Sequence, residues 1–109
     1  MTIVSESLIH EWADKRGLLG EDMSPVAQAA KMMEEATETL KAVVACEAEG
    51  DRCRPVAVLD GIGDVWVTLV ILASQYQSSL DACAWQAWQE IKDRKGVTSG
   101  GMFIKETDQ

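Results

Sequence analysis

Three features of this 109-residue chain predict an all-α domain. Apolar residues recur at three- and four-residue spacing along most of its length. The pair Ser24-Pro25 is a strong helix start, and Gly17, Gly50 and Gly96 stand where periodic stretches stop. The segment from Val56 to Ala73 is apolar nearly all round, the pattern of a helix buried on every side. A chain this short can hardly cover such a helix, so the expected fold is a bundle of four main helices completed by oligomerisation. Residues 1–109 form one domain, with 1–3 and 107–109 expected to be flexible.

The first helix is expected over Ser5 to Arg16, where Val4, Leu8 and Trp12 recur every four residues and Gly17 is the stop. His10, the single histidine, reads as a surface residue. Leu18 to Met23 is a connector. From Ser24-Pro25 a long helix runs to about Glu49, with Val26, Ala29, Met32, Met33, Ala36, Leu40, Val43 and Val44 as its core face. Gly50 to Arg54 is a charged turn, and Pro55 opens the apolar helix, which extends to about Tyr76. The last helix has a face of Leu80, Cys83, Ala84, Ala87, Trp88 and Ile91, with Ser78 and Asp81 resembling a capping box. Lys92, Arg94 and Lys95 crowd its final turn, where cations suit the negative end of the helix dipole. Thr98 to Gly101 reads as a flexible loop, after which Met102, Phe103 and Ile104 pack back or onto a neighbour.

A net charge of −8 and a pI near 4.5 argue against nonspecific binding to nucleic acid or anionic membrane. Any phosphate ligand must then be met by local cations or a metal. Cys46, Cys53 and Cys83 are odd in number, lack Cys-x-x-Cys spacing and follow no secretory leader, so they read as reduced thiols of a cytoplasmic protein. The longest apolar run, Val65 to Ala73, is far short of the roughly 20 residues of a membrane span.

Two carboxylate groups stand out against this background. Glu34, Glu35 and Glu38 share one stripe of the long helix, with Lys31 a turn earlier on the same arc. A charge run of this kind is ordinarily a solvated face. The small residues Ala27, Ala42 and Ala45 beside it, however, suit a closely approaching second helix. Asp60, Asp64 and Thr68 form the one polar stripe of the apolar helix. Carboxylates buried there would protonate, pair with cations or hold a metal. Oxygen ligands from two facing helices fit Mg²⁺ best, with Mn²⁺ as second choice.

A Glu-Glu-x-x-Glu helix prefaced by Gln28 and Lys31, a later helix with an acidic pair ending in Gly-Asp, and a closing Trp-x-x-Ile-x-Asp-Arg-Lys-Gly resemble the MazG-like, all-α nucleoside triphosphate pyrophosphohydrolases. The similarity runs from about Trp12 to Glu106. It implies hydrolysis of a nucleoside or deoxynucleoside triphosphate to monophosphate and pyrophosphate, as nucleotide-pool housekeeping. The metal ligands it implies are Glu35, Glu38, Asp60 and Asp64, and Glu34 is a further ligand or orients the water. Lys31 would pair with a carboxylate or a phosphate, Arg94 and Lys95 would reach the phosphates, and Trp12 would stack on the base. One departure is visible: the family's second motif is Glu-x-x-Asp, and Gly61 stands at the glutamate position, so the carboxylate is assigned to Asp60.

The rival reading is a noncatalytic helical bundle that binds a nucleotide or partner, which has no reason for aspartates inside a buried helix. A di-iron carboxylate bundle needs paired Glu-x-x-His motifs, and one histidine cannot supply them. Neither a Gly-x-x-x-x-Gly-Lys phosphate loop nor a Ser/His/Asp set is present.

Overall fold

The computed structural model describes residues 3–106, so the flexibility expected of residues 1, 2 and 107–109 lies outside it. Helix α1 spans Glu6–Lys15, α2 Pro25–Glu49, α3 Val56–Gln75 and α4 Leu80–Ile91. The starts of α1 and α2 are chemically explicit. Ser5 and Ser24 accept hydrogen bonds from the amides of Leu8 and Ala27, and Pro25 occupies the first turn of α2, where its missing N–H leaves no gap. Helix α2 stops at Gly50, whose φ of 58° suits glycine, and a 3-10 turn over Gly50–Arg52 leads towards α3.

The start of α4 differs from the expected Ser78/Asp81 box. Ser79 is the N-cap, its hydroxyl accepting from the amide of Ala82 at 3.0 Å. The Glu6 carboxylate, from the opposite end of the chain, accepts from the amides of Leu80 and Asp81. An acid at the positive end of a helix dipole, satisfying two otherwise unpaired donors, also ties α1 to α4. Glu6→Ala is therefore expected to lower unfolding free energy by about 1 kcal/mol, measured by urea denaturation. No change would show that water replaces the carboxylate without loss.

Helices α2 and α3 form an antiparallel hairpin, which is the main packing unit, and α1 and α4 pack against α3. The pairings Thr39 to Gly61 and Gln28 to Thr68 mark the register. Buried Gln28 donates from Nε2 to the Thr68 carbonyl at 3.2 Å, and Thr68 donates from Oγ1 to Val65. Gln75 of α3 reaches the Leu18 carbonyl at 3.0 Å, and His10 is hydrogen-bonded to Ser74, which fastens α1 and its connector to the end of α3.

The all-α expectation needs one addition. Gly96–Ser99 (β1) pairs antiparallel with Met102–Lys105 (β2), Val97 opposite Ile104 and Ser99 opposite Met102. Gly100 and Gly101 both have positive φ, 59° and 77°, the conformation a two-residue hairpin turn demands. What reads as a flexible loop is thus a tight turn, and Met102 to Ile104 form its return strand.

The apolar faces foreseen for a core are largely open in the single chain. Among the described residues the buried apolar side chains are Ala13, Val70 and Ile71. Val26, Met33, Leu40 and Val44 of α2, Leu59 and Ile62 of α3, and Trp85 and Trp88 of α4 are all exposed. Helix α3, with 20 residues and mean hydropathy 2.0, also meets the length and composition of a bilayer-crossing helix, a test that the central helix of a helical assembly passes as well.

Candidate functional site

On α2, Gln28, Lys31, Glu35, Glu38 and Ala42 follow one another at three- and four-residue intervals. On α3, Ala57, Asp60, Asp64, Val67 and Ile71 do the same. In an antiparallel pair these two rows run side by side, so that Glu35 and Glu38 come beside Asp64 and Asp60, and Gln28 and Lys31 beside Ile71 and Val67. The result is two adjoining cavities. One, of about 430 Å³, is lined by Glu35, Glu38, Lys41 and Ala42 from α2 and by Ala57, Asp60, Gly61 and Asp64 from α3. The other, of about 390 Å³, is lined by Gln28, Lys31, Glu35, Asp64, Val67 and Ile71 together with Trp12 and Leu18. Glu35 and Asp64 line both.

Gly61 makes this proximity possible. A Cβ there would stand 3.1 Å from Thr39 Cβ and 3.2 Å from Thr39 Cα, and closer still to its hydroxyl. The glutamate of the resembled motif therefore has no room at this position. Asp60, one residue earlier, is the acidic residue that lines the groove instead.

The charges are partly balanced. Lys31 Nζ lies 3.3 Å from Glu35 Oε1 and 3.5 Å from Glu34 Oε1, and Lys41 Nζ lies 3.5 Å from Glu38 Oε1. Hydrogen bonding to Glu35, then the charge of Glu34, raises the Lys31 pKa. Glu35 is the least accessible of the three glutamates, its side chain 20% exposed against 62% for Glu34 and Glu38. Glu34 lines neither cavity.

Two expectations change here. Asp60 and Asp64 are exposed on the polar stripe of α3, so in the single chain no cost of burial forces a metal upon them. Their tie to Glu35 and Glu38 is the shared groove. The donor chemistry, four carboxylates and no nitrogen or sulfur, suits a hard divalent cation. Among the described residues, however, no three acidic, histidine or cysteine side chains converge as a ready-made coordination shell. Ligation requires the exposed side chains of Glu38, Asp60 and Asp64 to turn inward towards Glu35.

Arg94 and Lys95 are not brought to the carboxylates within one chain. With Asp93, Lys105 and Glu106 they line a separate cavity of about 330 Å³, where the end of α4 meets the hairpin. Trp12 does reach the site, as part of the second cavity, and the Arg16 guanidinium lies 4.2 Å from its ring centroid. Arg16, Lys41, Leu18 and Val67 were not singled out by sequence. The four-residue spacing of Trp12 and Arg16, and the three-residue spacing of Glu38 and Lys41, are the signals that could have found two of them.

Cys46 and Cys53 stand opposite each other across the turn after α2, their Cα atoms 4.9 Å apart and within the span of a disulfide, whereas Cys83 is exposed and stands apart. The reading of three unrelated thiols misses this pairing. The helix end and the turn after it fold back on each other, which a seven-residue spacing does not disclose.

No family model matches the chain, and no solved structure matches it. It is 39% identical over 67 residues to an uncharacterized 18.2 kDa protein encoded in the rep-hol intergenic region of Haemophilus phage HP1. The match covers 62% of this chain and 36% of that relative, so the chain corresponds to little more than a third of its length.

Proposed function

We propose that the protein hydrolyses nucleoside or deoxynucleoside triphosphates to monophosphate and pyrophosphate in the cytoplasm, in the manner of the MazG-like enzymes its motifs resemble. The observation that carries this reading is the position of Glu35 and Asp64 at the junction of an acidic groove and an aromatic-walled cavity. Each cavity falls in the range of about 300–1,000 Å³ typical of small-molecule sites. A nucleotide has the matching halves: a flat base for Trp12, Val67 and Ile71, and a phosphate chain for the groove.

The chain's own residues divide the work. Trp12 offers a face on which a base can stack, and Gln28 anchors α2 to the Thr68 carbonyl beneath it. Lys31 exchanges its contacts with Glu34 and Glu35 for a phosphate oxygen. Glu35, Glu38, Asp60 and Asp64 would turn into the groove as metal ligands, and Glu34, outside both cavities, would have to swing in to serve as a further ligand or to orient the attacking water. Mg²⁺ or Mn²⁺ held there supplies charge neutralisation of the triphosphate and activation of water. Incubation with a panel of NTPs and dNTPs plus Mg²⁺ should release monophosphate and pyrophosphate. Diphosphate with orthophosphate would place cleavage at the wrong bond, and binding without turnover would favour a noncatalytic bundle.

Metal binding has its own readout. A cation that binds the folded chain raises its melting temperature by mass action. Asp64→Asn, which keeps the shape and removes the charge, is expected to abolish the Mg²⁺-dependent rise. A rise that survives unchanged would remove Asp64 from the ligand set.

Self-association belongs to the same reading. A folded chain of 11.9 kDa should expose about 6,000 Å². This one exposes 8537 Å². Its radius of gyration is 16.8 Å, against about 13 Å for a compact domain of this length. The surplus, on the order of 2,500 Å² per chain, is comparable to what obligate interfaces bury. The apolar series Leu59, Ile62, Trp66, Leu69 and Ala73 on α3 has the three- and four-residue spacing of a helix-pairing seam. Sedimentation at micromolar concentration should show a dimer or tetramer; a monomer would overturn this.

A further inference from the structure

We propose that Cys46 and Cys53 form a reversible dithiol–disulfide site that sets how firmly the α2–α3 connection, and with it one end of the acidic groove, is held. The pairing itself rests on the geometry of the connection; its consequence for the groove rests on the functional reading above.

Cys46 lies eight residues beyond Glu38 on α2, and Cys53 lies four residues before Ala57 and seven before Asp60, both of which line the groove. Their Cα separation of 4.9 Å falls inside the roughly 4.4–6.8 Å that disulfides span. Both side chains are half-buried, fixed by their surroundings yet within reach of a small thiol. Cys83, exposed on α4, stays outside the pair.

The segment between the cysteines has little else to hold it. Residues 47–52 are exposed, as are Arg54 and Pro55. Among the described residues, no side-chain hydrogen bond or ion pair ties 47–55 to the rest of the fold. The turn is closed by the amide of Cys53 donating to the Gly50 carbonyl at 3.0 Å. A disulfide across it would be the single side-chain tie among the described residues, and its reduction would free the last turn of α2 from the start of α3. Accessible disulfides of this kind are the exchangeable ones.

The two cysteines differ in their sequence neighbours. Arg52 and Arg54 flank Cys53, whereas Cys46 is followed by Glu47; neighbouring cations favour attack by a thiol, so Cys53 takes the attacking role. In a buffer of oxidised and reduced glutathione, the Cys53 thiolate attacks one sulfur of the glutathione disulfide and expels one glutathione thiolate. The Cys46 thiolate then attacks the Cys53 sulfur of the mixed disulfide and expels the second. Two protein thiols lose two electrons, one small disulfide gains them, and the two protons pass to the two released thiols.

The test uses the full chain with Cys83→Ser, equilibrated across glutathione ratios and trapped with N-ethylmaleimide. Intact mass should show two alkylatable thiols falling to none, with a Cys46–Cys53 cross-linked peptide and full reversal by dithiothreitol. Cys46→Ser should accumulate glutathione on Cys53 several-fold faster than Cys53→Ser accumulates it on Cys46. Amide exchange over residues 46–57 should slow severalfold in the disulfide form. Thiols that stay alkylatable at every ratio, intermolecular links alone, or equal exchange in the two forms would each overturn the proposal. The Mg²⁺-dependent rise in melting temperature, larger in the disulfide form, tests the coupling to the groove. If exchange differs and no Mg²⁺ response exists in either form, the metal reading fails and the cysteine site stands.

Discussion

Glu38→Gln is expected to leave helix content unchanged and to lower turnover by about a hundredfold or more, the loss that follows removal of one oriented electrostatic contact. Glu38 lines the acidic groove opposite Asp60, with Lys41 at 3.5 Å as its local counter-charge. The glutamine occupies nearly the same volume, so a fall in rate reports charge rather than packing. Glu49→Gln is the control. It sits at the exposed C-terminal end of the same helix, where an acid meets the unfavourable end of the dipole, so its loss should be neutral or slightly stabilising. Circular dichroism fixes the comparison by showing both variants folded. If the two behave alike in turnover, the stripe around Glu35 is only a solvated face and the chain is not an enzyme of this kind.

Much of the helical framework is legible in the residues. Ser24-Pro25 states the start of α2 because both residues act locally, through a hydroxyl and a fixed φ. The row of carboxylates is legible for the same reason: helical spacing alone places Glu35 with Glu38 and Asp60 with Asp64. What escapes is whatever depends on distant partners. The Glu6 carboxylate caps α4 across 74 residues, and nothing near Ser79 announces it. The hairpin at Gly96–Lys105 escapes because its strands are four residues each, too short for alternation to stand out. The exposure of Asp60 and Asp64 escapes because an apolar helix is read as buried. In the single chain α3 is covered on one side, and its remaining apolar face awaits whatever packs on it.

Gly61→Ala is expected to destabilise the protein by about 1–3 kcal/mol, the usual result of forcing a methyl group into a filled contact. Its Cβ would meet backbone as well as side chain, since Thr39 Cα would be 3.2 Å away, and a backbone atom cannot turn aside. The Thr39 hydroxyl is also engaged, donating to the Glu35 carbonyl at 2.8 Å, so rotating it breaks a hydrogen bond. Gly63→Ala makes the opposite prediction from the same helix. Nothing lies within 4 Å of its added Cβ, and replacing a mid-helix glycine by alanine stabilises by up to about 1 kcal/mol. Urea denaturation of the two variants should therefore move in opposite directions from the parent. The first substitution also pushes α2 from α3 beside Glu38 and Asp60, so any Mg²⁺-dependent stabilisation should shrink with it. A Gly61→Ala protein as stable as the parent would mean that the helices do not approach this closely, and that a glutamate at 61 is missing for some reason other than space.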